Sequence, residues 1–232
     1  MTTASYWTPR RLARVLDHSV LSPVHTEEEV FKGVRVVREF GVRTIIVKPS
    51  YVKLAVRLLA DALAHVGTVI GFPHGGETVR MKATQVREMR AAGAVEFDMV
   101  INIGAMREGR ERVISREVEA AVTAARGGVV KVIIETGYLD DQQKMRAAQL
   151  AAEAGAHFVK TSTGYGLRGA TVEDIKLLRS TLPRGVGVKA SGGIKTLDDT
   201  LRLLEAGANR VGTSSTRAIL EAAVERLQLA TA

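Results

Sequence analysis

The chain reads as an α/β protein, a single closed (β/α)8 barrel over residues 1–232 with a short extra helix at its N-terminus. Three observations predict this. Apolar strand-like runs alternate with amphipathic helical stretches along the whole chain, and eight such pairs can be counted. The strands are nearly continuous in Val, Ile and Ala rather than alternating with polar residues, as befits a parallel sheet covered by helices on its outer face. Finally, Gly93-Ala94, Gly155-Ala156 and Gly207-Ala208 each close a helix and open a strand, a weak internal repeat of the helix-stop, strand-start unit.

The elements follow in order. Thr8-Pro9 starts the extra helix, with Thr as N-cap and Pro at the first position. Leu16 to Leu21 is the first strand. Thr26-Glu27-Glu28-Glu29 is a capping box that opens a helix to Phe40, and Gly41 stops it. Val42 to Val47 is strand two, and a helix is expected from Pro49 to Ala64. Val66 to Gly71 is strand three, followed by the loop Phe72-Pro73-His74-Gly75-Gly76. The next helix ends at Gly93, and Val95 to Ile101 is strand four. One long helix is expected from Asn102-Ile103-Gly104 to Arg126. Val129 to Glu135 is strand five, and Leu139 to Ala154 a helix. Ala156-His157-Phe158-Val159-Lys160 is strand six. Thr171-Val172-Glu173-Asp174 resembles a capping box, Gly185 to Lys189 is strand seven, and Thr196 starts another helix. Ala208 to Gly212 is strand eight, and a last helix follows.

Composition narrows the function classes. Hydrophobic residues are 46% and charged residues 25%, as in ordinary globular proteins. Cysteine is absent, which removes disulfides and thiolate chemistry. No apolar run approaches the ~18–20 residues that span a bilayer. The start lacks the apolar core of a signal peptide, so a cytoplasmic protein is expected. The net charge of +8 permits a nucleic-acid partner. However, the basic residues are interspersed with acidic ones and aromatics are only 4%, so no platform exists for bases to stack on. A solvated surface, or attraction of a small anion, accounts better for the charge. The five histidines show no metal-ligand spacing.

Lys160 carries the sharpest signal. It closes a buried strand and leads into Thr161-Ser162-Thr163-Gly164, and strand C-terminal ends are where barrels build active sites. On its own, such a lysine can equally be a rim residue with its amine in water. The next strand ends in Lys189, about 4.8 Å away across the sheet. Two ammonium groups that close disfavour each other's charged form, and an adjacent cation is one way to free a lysine for attack on a carbonyl.

Counting five residues from each repeat glycine lands on Asp98, Lys160 and Gly212, and from Gly41 on Ile46. Equal offset implies the same face of the sheet, so Asp98 is expected inside the barrel with Lys160. It reads as a proton shuttle or as a structural partner for a lysine. Asp17 and Glu135 are candidates of the same type, and either could instead pair with Lys131 in the barrel core. Ser191-Gly192-Gly193-Ile194-Lys195 and Gly212-Thr213-Ser214-Ser215 are glycine-rich turns after strands seven and eight, where a phosphate can meet backbone N–H groups; ordinary tight turns are the bland alternative. Gly164-x-Gly166-x-x-Gly169 matches a dinucleotide fingerprint only superficially, because the expected acidic strand end is Lys189. His74, in a strand-end loop, is a candidate to touch substrate.

These residues resemble the deoxyribose-phosphate aldolases, a class I aldolase family. The likeness runs from Leu16-Asp17-His18 to Gly212-Thr213-Ser214-Ser215. It is most specific in Phe97-Asp98-Met99-Val100-Ile101-Asn102-Ile103-Gly104, Phe158-Val159-Lys160-Thr161-Ser162-Thr163-Gly164 and Val188-Lys189-Ala190-Ser191-Gly192-Gly193. The family is a TIM barrel, in agreement with the count above. The resemblance implies Lys160 as the Schiff-base lysine, Lys189 as the lysine that tunes it and Asp98 as the proton relay. It implies Gly192, Gly193, Lys195, Gly212, Ser214 and Ser215 as the phosphate pocket, and Thr163 and Asp17 are expected to contact substrate. The implied reaction is reversible cleavage of 2-deoxy-D-ribose 5-phosphate to acetaldehyde and D-glyceraldehyde 3-phosphate, through a covalent lysine imine and without a metal or organic cofactor. The implied partner is a small phosphorylated sugar, with neither nucleic acid nor membrane, and the implied assembly is a homo-oligomer, dimer or tetramer.

The chain departs from the family pattern in places. Ile46-Val47-Lys48-Pro49 stands where Cys-Val-Asn-Pro is frequent, which puts a third lysine near the mouth. Ser19 and Ser22 replace a frequent threonine and lysine. Gln228 to Ala232 carries no tyrosine, a residue some members use there in proton transfer. Three alternatives stay open: a related lysine-dependent aldolase for another phosphorylated sugar, a non-catalytic phosphate-binding barrel, and a nucleic-acid binder.

Overall fold

A computed structural model describes residues 6–229. Among the described residues, eight parallel strands close into a barrel in the order β1 to β8. They are β1 Leu16–Val20, β2 Thr44–Val47, β3 His65–Ile70, β4 Glu96–Val100, β5 Val129–Ile133, β6 Phe158–Lys160, β7 Gly187–Ser191 and β8 Arg210–Thr213. The helices are α1 Pro9–Ala13, α2 Glu27–Phe40, α3 Val52–Leu58, α4 Val79–Ala91, α5 Ile103–Arg107, α6 Glu111–Ala125, α7 Asp141–Glu153, α8 Val172–Thr181, α9 Leu197–Glu205 and α10 Thr216–Leu229. Among the described residues no helix is long and apolar enough to cross a membrane. Residues 230–232, the end of the tyrosine-free segment noted above, lie outside the described residues.

The hydrophobic core is the ring between strands and helices. Outward-facing Phe97, Met99, Val130, Val132, Val159, Val188 and Val211 are fully buried there, against helix residues such as Ile114, Val118, Ala147, Ile175, Leu178 and Ile219. Burying a large apolar side chain is worth roughly 1.5–3 kcal/mol, so this ring supplies the fold's main driving force. The barrel interior can therefore hold charge.

Local chemistry explains the helix boundaries. The Thr26 hydroxyl accepts from Glu28 N at 3.3 Å, and the Glu29 carboxylate accepts from Thr26 N at 2.8 Å, the expected capping box. Gly41 ends α2 with φ 65°, a left-handed turn that glycine adopts without penalty. Thr171 caps α8 through Asp174 N at 3.1 Å. The Asp174 carboxylate does not turn back to complete a box; it pairs with Arg168 and Lys144.

Two helices are shorter than expected. The stretch 49–64 forms a 3-10 turn, Pro49–Tyr51, and then α3, which stops at Leu58. There Arg38 Nη2 takes the Leu58 carbonyl at 2.7 Å and its guanidinium also holds Asp61, so a side chain satisfies the last turn. Leu63 beyond it is fully exposed. The long helix after Asn102 is two helices, because Gly109 takes φ 72° and turns the chain between α5 and α6.

Candidate active site

Register decides which side chains enter the barrel. Asp98 lies opposite Lys131 in β5, Ile133 opposite Lys160, Lys160 opposite Lys189, and Lys189 opposite Arg210. Residues two apart share a face, so Glu96 and Gly212 also point inward. An added Cβ at Gly212 would lie 3.0 Å from Lys189 Cε, which shows that its bare face looks onto that lysine.

The result is a buried ionic layer. Asp98 Oδ2 accepts from Lys160 Nζ at 2.8 Å and from Lys189 Nζ at 2.7 Å, and Asp98 Oδ1 from Lys131 Nζ at 2.9 Å. Lys189 Nζ also sits 2.5 Å from Asp17 Oδ2, and Lys131 Nζ 2.6 Å from Glu96 Oε2. Arg210 closes the floor. Its Nε reaches Asp17 Oδ1 at 2.9 Å, and its Nη2 reaches Glu96 Oε2 at 3.0 Å and Thr44 Oγ1 at 2.8 Å. Three carboxylates (Asp17, Glu96, Asp98) thus face four cations (Lys131, Lys160, Lys189, Arg210), one positive charge in excess, all nearly or fully buried.

That excess is visible in the proton affinities. Burial raises the Asp98 carboxyl, but the ammonium groups of Lys131, Lys160 and Lys189 outweigh it and hold it well below the usual carboxylate range. Burial pushes Lys189 down to about 8; Lys131 and Lys160 add to this and Asp17 and Asp98 oppose it. The two strand-end lysines meet through Asp98, and the push falls on Lys189. This depression has a sign in stability. Below about pH 8 the native state holds a buried proton against preference; above it, the folded chain sheds that proton before the unfolded chain does, so stability rises with pH until the ordinary lysine range. We expect urea unfolding between about pH 7 and 10 to show a gain of order 3 kcal/mol from this group, and Lys189→Met to lack it.

Above Lys160 a cavity of about 350 Å³ opens at the C-terminal ends of the strands. Of the predicted residues, Lys160, Thr163, Gly192, Gly193, Lys195, Gly212 and Ser214 line it. Asp98 and Lys189 lie beneath, fully buried. Asp17 was expected to contact substrate and does not line the cavity. It is fully buried in the ionic layer and held by Lys131, Lys189 and Arg210, which is its barrel-core alternative. Ser215 also misses the cavity lining, and its N–H is committed to Thr213 Oγ1 at 2.9 Å.

The anion-facing side is built from the β7 and β8 loops. Gly192 and Gly193 take φ 90° and 75°, which turns the backbone toward the cavity, and α9 and α10 begin just beyond. Lys195 and the glycine backbone, open to close approach, make this an anion-favouring wall. The GxGxxG stretch has a packing reason: a Cβ at Gly169 would fall 2.0 Å from Gly192 O, and Ala170 N donates to Ser191 O and Gly192 O at 3.1 and 3.2 Å. The β6 loop thus braces the β7 loop.

The structure brings further residues to this site. Ser19, Leu21, Ser22, His25 and Tyr165 also line the cavity. Lys48 does not. Its Nζ donates to the Pro23 and His25 carbonyls at 3.1 and 2.7 Å, so it staples the loop between β1 and α2, and its charge stands behind the cavity-lining His25. Glu135 follows β5 in a left-handed conformation, φ 51°, and its Oε2 accepts from Thr163 N at 3.0 Å and from the Thr163 hydroxyl. Glu96 and Arg210 were legible in principle, since each stands two residues before an inward position already identified, Asp98 and Gly212.

An eight-stranded parallel barrel, with a cavity-facing amine above a buried carboxylate and a glycine wall fit for an anion, has the architecture of a lysine-bearing barrel enzyme. The chain belongs to the DeoC/LacD family of aldolases, whose model matches residues 12–222. It is 46% identical over 210 residues to the deoxyribose-phosphate aldolase of Listeria welshimeri, covering 90% of this chain and 94% of that one. It is 45% identical to the enzyme of the same name from Bacillus mycoides, with the same coverage. Among solved structures, a deoxyribose phosphate aldolase from Aeropyrum pernix, described as a unique tetramer, superposes with a TM-score of 0.87 at 35% identity, over 93% of this chain and 92% of that one. An aldolase called QR15 gives 0.90 at 35% identity, over 94% and 98%.

Proposed function

We propose that the chain, a single barrel domain over 1–232, reversibly cleaves 2-deoxy-D-ribose 5-phosphate to acetaldehyde and D-glyceraldehyde 3-phosphate. One observation carries the reading: the nitrogens of Lys160 and Lys189 share Asp98 Oδ2, and of the two only Lys160 lines the cavity. Lys160 is the nucleophile. Its proton leaves to water in the cavity before attack, and Lys189, the second cation on the same carboxylate oxygen, favours that loss. The free amine adds to the C1 aldehyde carbon and water leaves, which gives an imine. The C3 hydroxyl then loses its proton toward Asp98, directly or through water, and the C2–C3 electron pair flows into the iminium. This forms a neutral enamine on Lys160 and releases glyceraldehyde 3-phosphate. Protonation at C2 and hydrolysis return acetaldehyde and the amine.

Gly192, Gly193, Lys195, Gly212 and Ser214 take the phosphate in this reading, and Thr163 faces the sugar chain. Lys195→Ala is expected to raise KM about 10–100-fold with kcat changed far less, as befits loss of one charge-assisted contact. A steady-state comparison with 2-deoxyribose lacking the phosphate checks it, because that substrate is insensitive to the change. The reading needs no bound cofactor. It includes a cytoplasmic setting and a homo-oligomer, dimer or tetramer, which light scattering tests. Borohydride treatment with deoxyribose 5-phosphate, followed by mass spectrometry, decides the core: a reduced adduct on Lys160 supports it. No adduct points to a non-catalytic phosphate-binding barrel. An adduct only with other sugar phosphates points to a different aldolase.

A further inference from the structure

A second cavity of about 200 Å³ lies beside the first, lined by Pro73, His74, Ile103, Glu135 and Tyr138 with Thr163, Tyr165 and Gly166. Thr163 and Tyr165 line both chambers, so they form the wall between them. Thr163 is held by Glu135. Tyr165 is held differently, its ring edge-on to Phe72 with centroids 5.6 Å apart. It stands between Gly164 and Gly166 and is 46% exposed. Among the described residues no hydrogen bond ties its side chain, whereas its backbone N–H donates to Thr163 Oγ1 at 3.0 Å.

Lys160 ends β6 and lines the first chamber only. The glycine wall sits over the ends of β7 and β8, and the second chamber over the ends of β3 to β6. A carbonyl carbon bound to Lys160 has two other substituents. One leads to the phosphate and points to the glycine wall. The other points across the partition; in an aldehyde it is hydrogen and needs no room. In a ketone it is carbon and needs room on the side away from the phosphate.

We propose that Tyr165 sets the size of the carbonyl donor, and that the chamber behind it is a vacant subsite for the hydroxylated substituent of a small ketone such as hydroxyacetone. The inference rests on the aldolase reading above. The lining suits a hydroxyl. Glu135 is 1% exposed, its Oε2 is committed to Thr163, and its Oε1 has no hydrogen-bond partner. The chemistry balances without an added reactant. Lys160 condenses with the ketone and water leaves; the methyl carbon loses a proton to give an enamine. That carbon bonds to the aldehyde carbon of glyceraldehyde 3-phosphate, whose oxygen takes the proton. Water then hydrolyses the imine and frees the ketose product and the amine.

The test measures kcat/KM for hydroxyacetone and for acetaldehyde, each with glyceraldehyde 3-phosphate, in wild type, Tyr165→Phe, Tyr165→Ala and Tyr165→Ser. The expected result is a rise of about tenfold or more in the hydroxyacetone-to-acetaldehyde ratio for Ala and Ser, one to two kcal/mol of relieved clash, with Phe at the wild-type ratio. Two small replacements are included so that one misfolded variant leaves the other to decide. An unchanged ratio in both overturns the proposal, as does a rise in Phe, which would place the barrier in the hydroxyl rather than the ring. Failure of the parent reading looks different: wild type then adds neither donor.

Discussion

Lys160→Ala is expected to abolish the borohydride-trapped adduct and to lower deoxyribose 5-phosphate cleavage by at least about 10⁴-fold, the scale of losing a covalent nucleophile. The structure explains why nothing replaces it. Lys195, the other lysine on the cavity, stands on the anion wall, and Lys189 and Lys131 lie below the floor with their nitrogens committed to carboxylates. Lys160→Arg sharpens the test. It keeps a cation for Asp98, but a guanidinium does not deprotonate at working pH. If the lysine served only as an ion-pair partner, Arg would restore activity; we expect it to be as inactive as Ala. The fold should survive both changes, because Asp98 keeps Lys131 and Lys189.

Asp98→Asn is expected to do double damage. The layer is left with two carboxylates against four cations: Lys131 keeps Glu96 and Asp17 and Lys189 keeps Asp17, but Lys160 loses its carboxylate, and a buried cation without its partner costs about 3–5 kcal/mol. Urea unfolding at pH 7 reads this as a lowered midpoint with unchanged slope. Part of the loss should return on alkalinisation, because a layer with surplus positive charge sheds protons more easily in the native state than unfolded, so stability climbs with pH. Cleavage should fall by about 10²–10⁴-fold, the range for a lost proton-transfer group. Adding Lys131→Met removes one of the layer's two surplus positive charges and is expected to restore part of the stability and none of the rate. Recovery of both would reduce Asp98 to a structural role.

The barrel was legible because its signals are periodic: apolar strands, threonine caps and the Gly-Ala repeat recur at each unit. The same register placed Asp98 beside Lys160 and put Gly212 against Lys189. What stayed hidden depends on side chains meeting across the chain. Asp17 looked like a mouth residue because strand position alone does not say how deep a carboxylate lies; Arg210, 193 residues away, holds it at the floor. That Lys48 would staple a loop was also hidden, since the Pro23 and His25 carbonyls it holds come from another segment of the chain. Helix ends were missed where a distant group intervenes, as Arg38 does at Leu58, or where one glycine turns the chain, as Gly109 does. The wall at Tyr165 has no local pattern, since it exists only where loops from four strands converge.

The odd charge count inside the barrel constrains how this sequence can drift. Any one of Asp17, Glu96, Asp98, Lys131 or Arg210 that mutates alone shifts the imbalance and, with it, the proton held by Lys189. Such positions should change in compensated pairs, an acid with a base, and laboratory evolution toward new donors should accumulate its substitutions in the loops while the interior stays frozen.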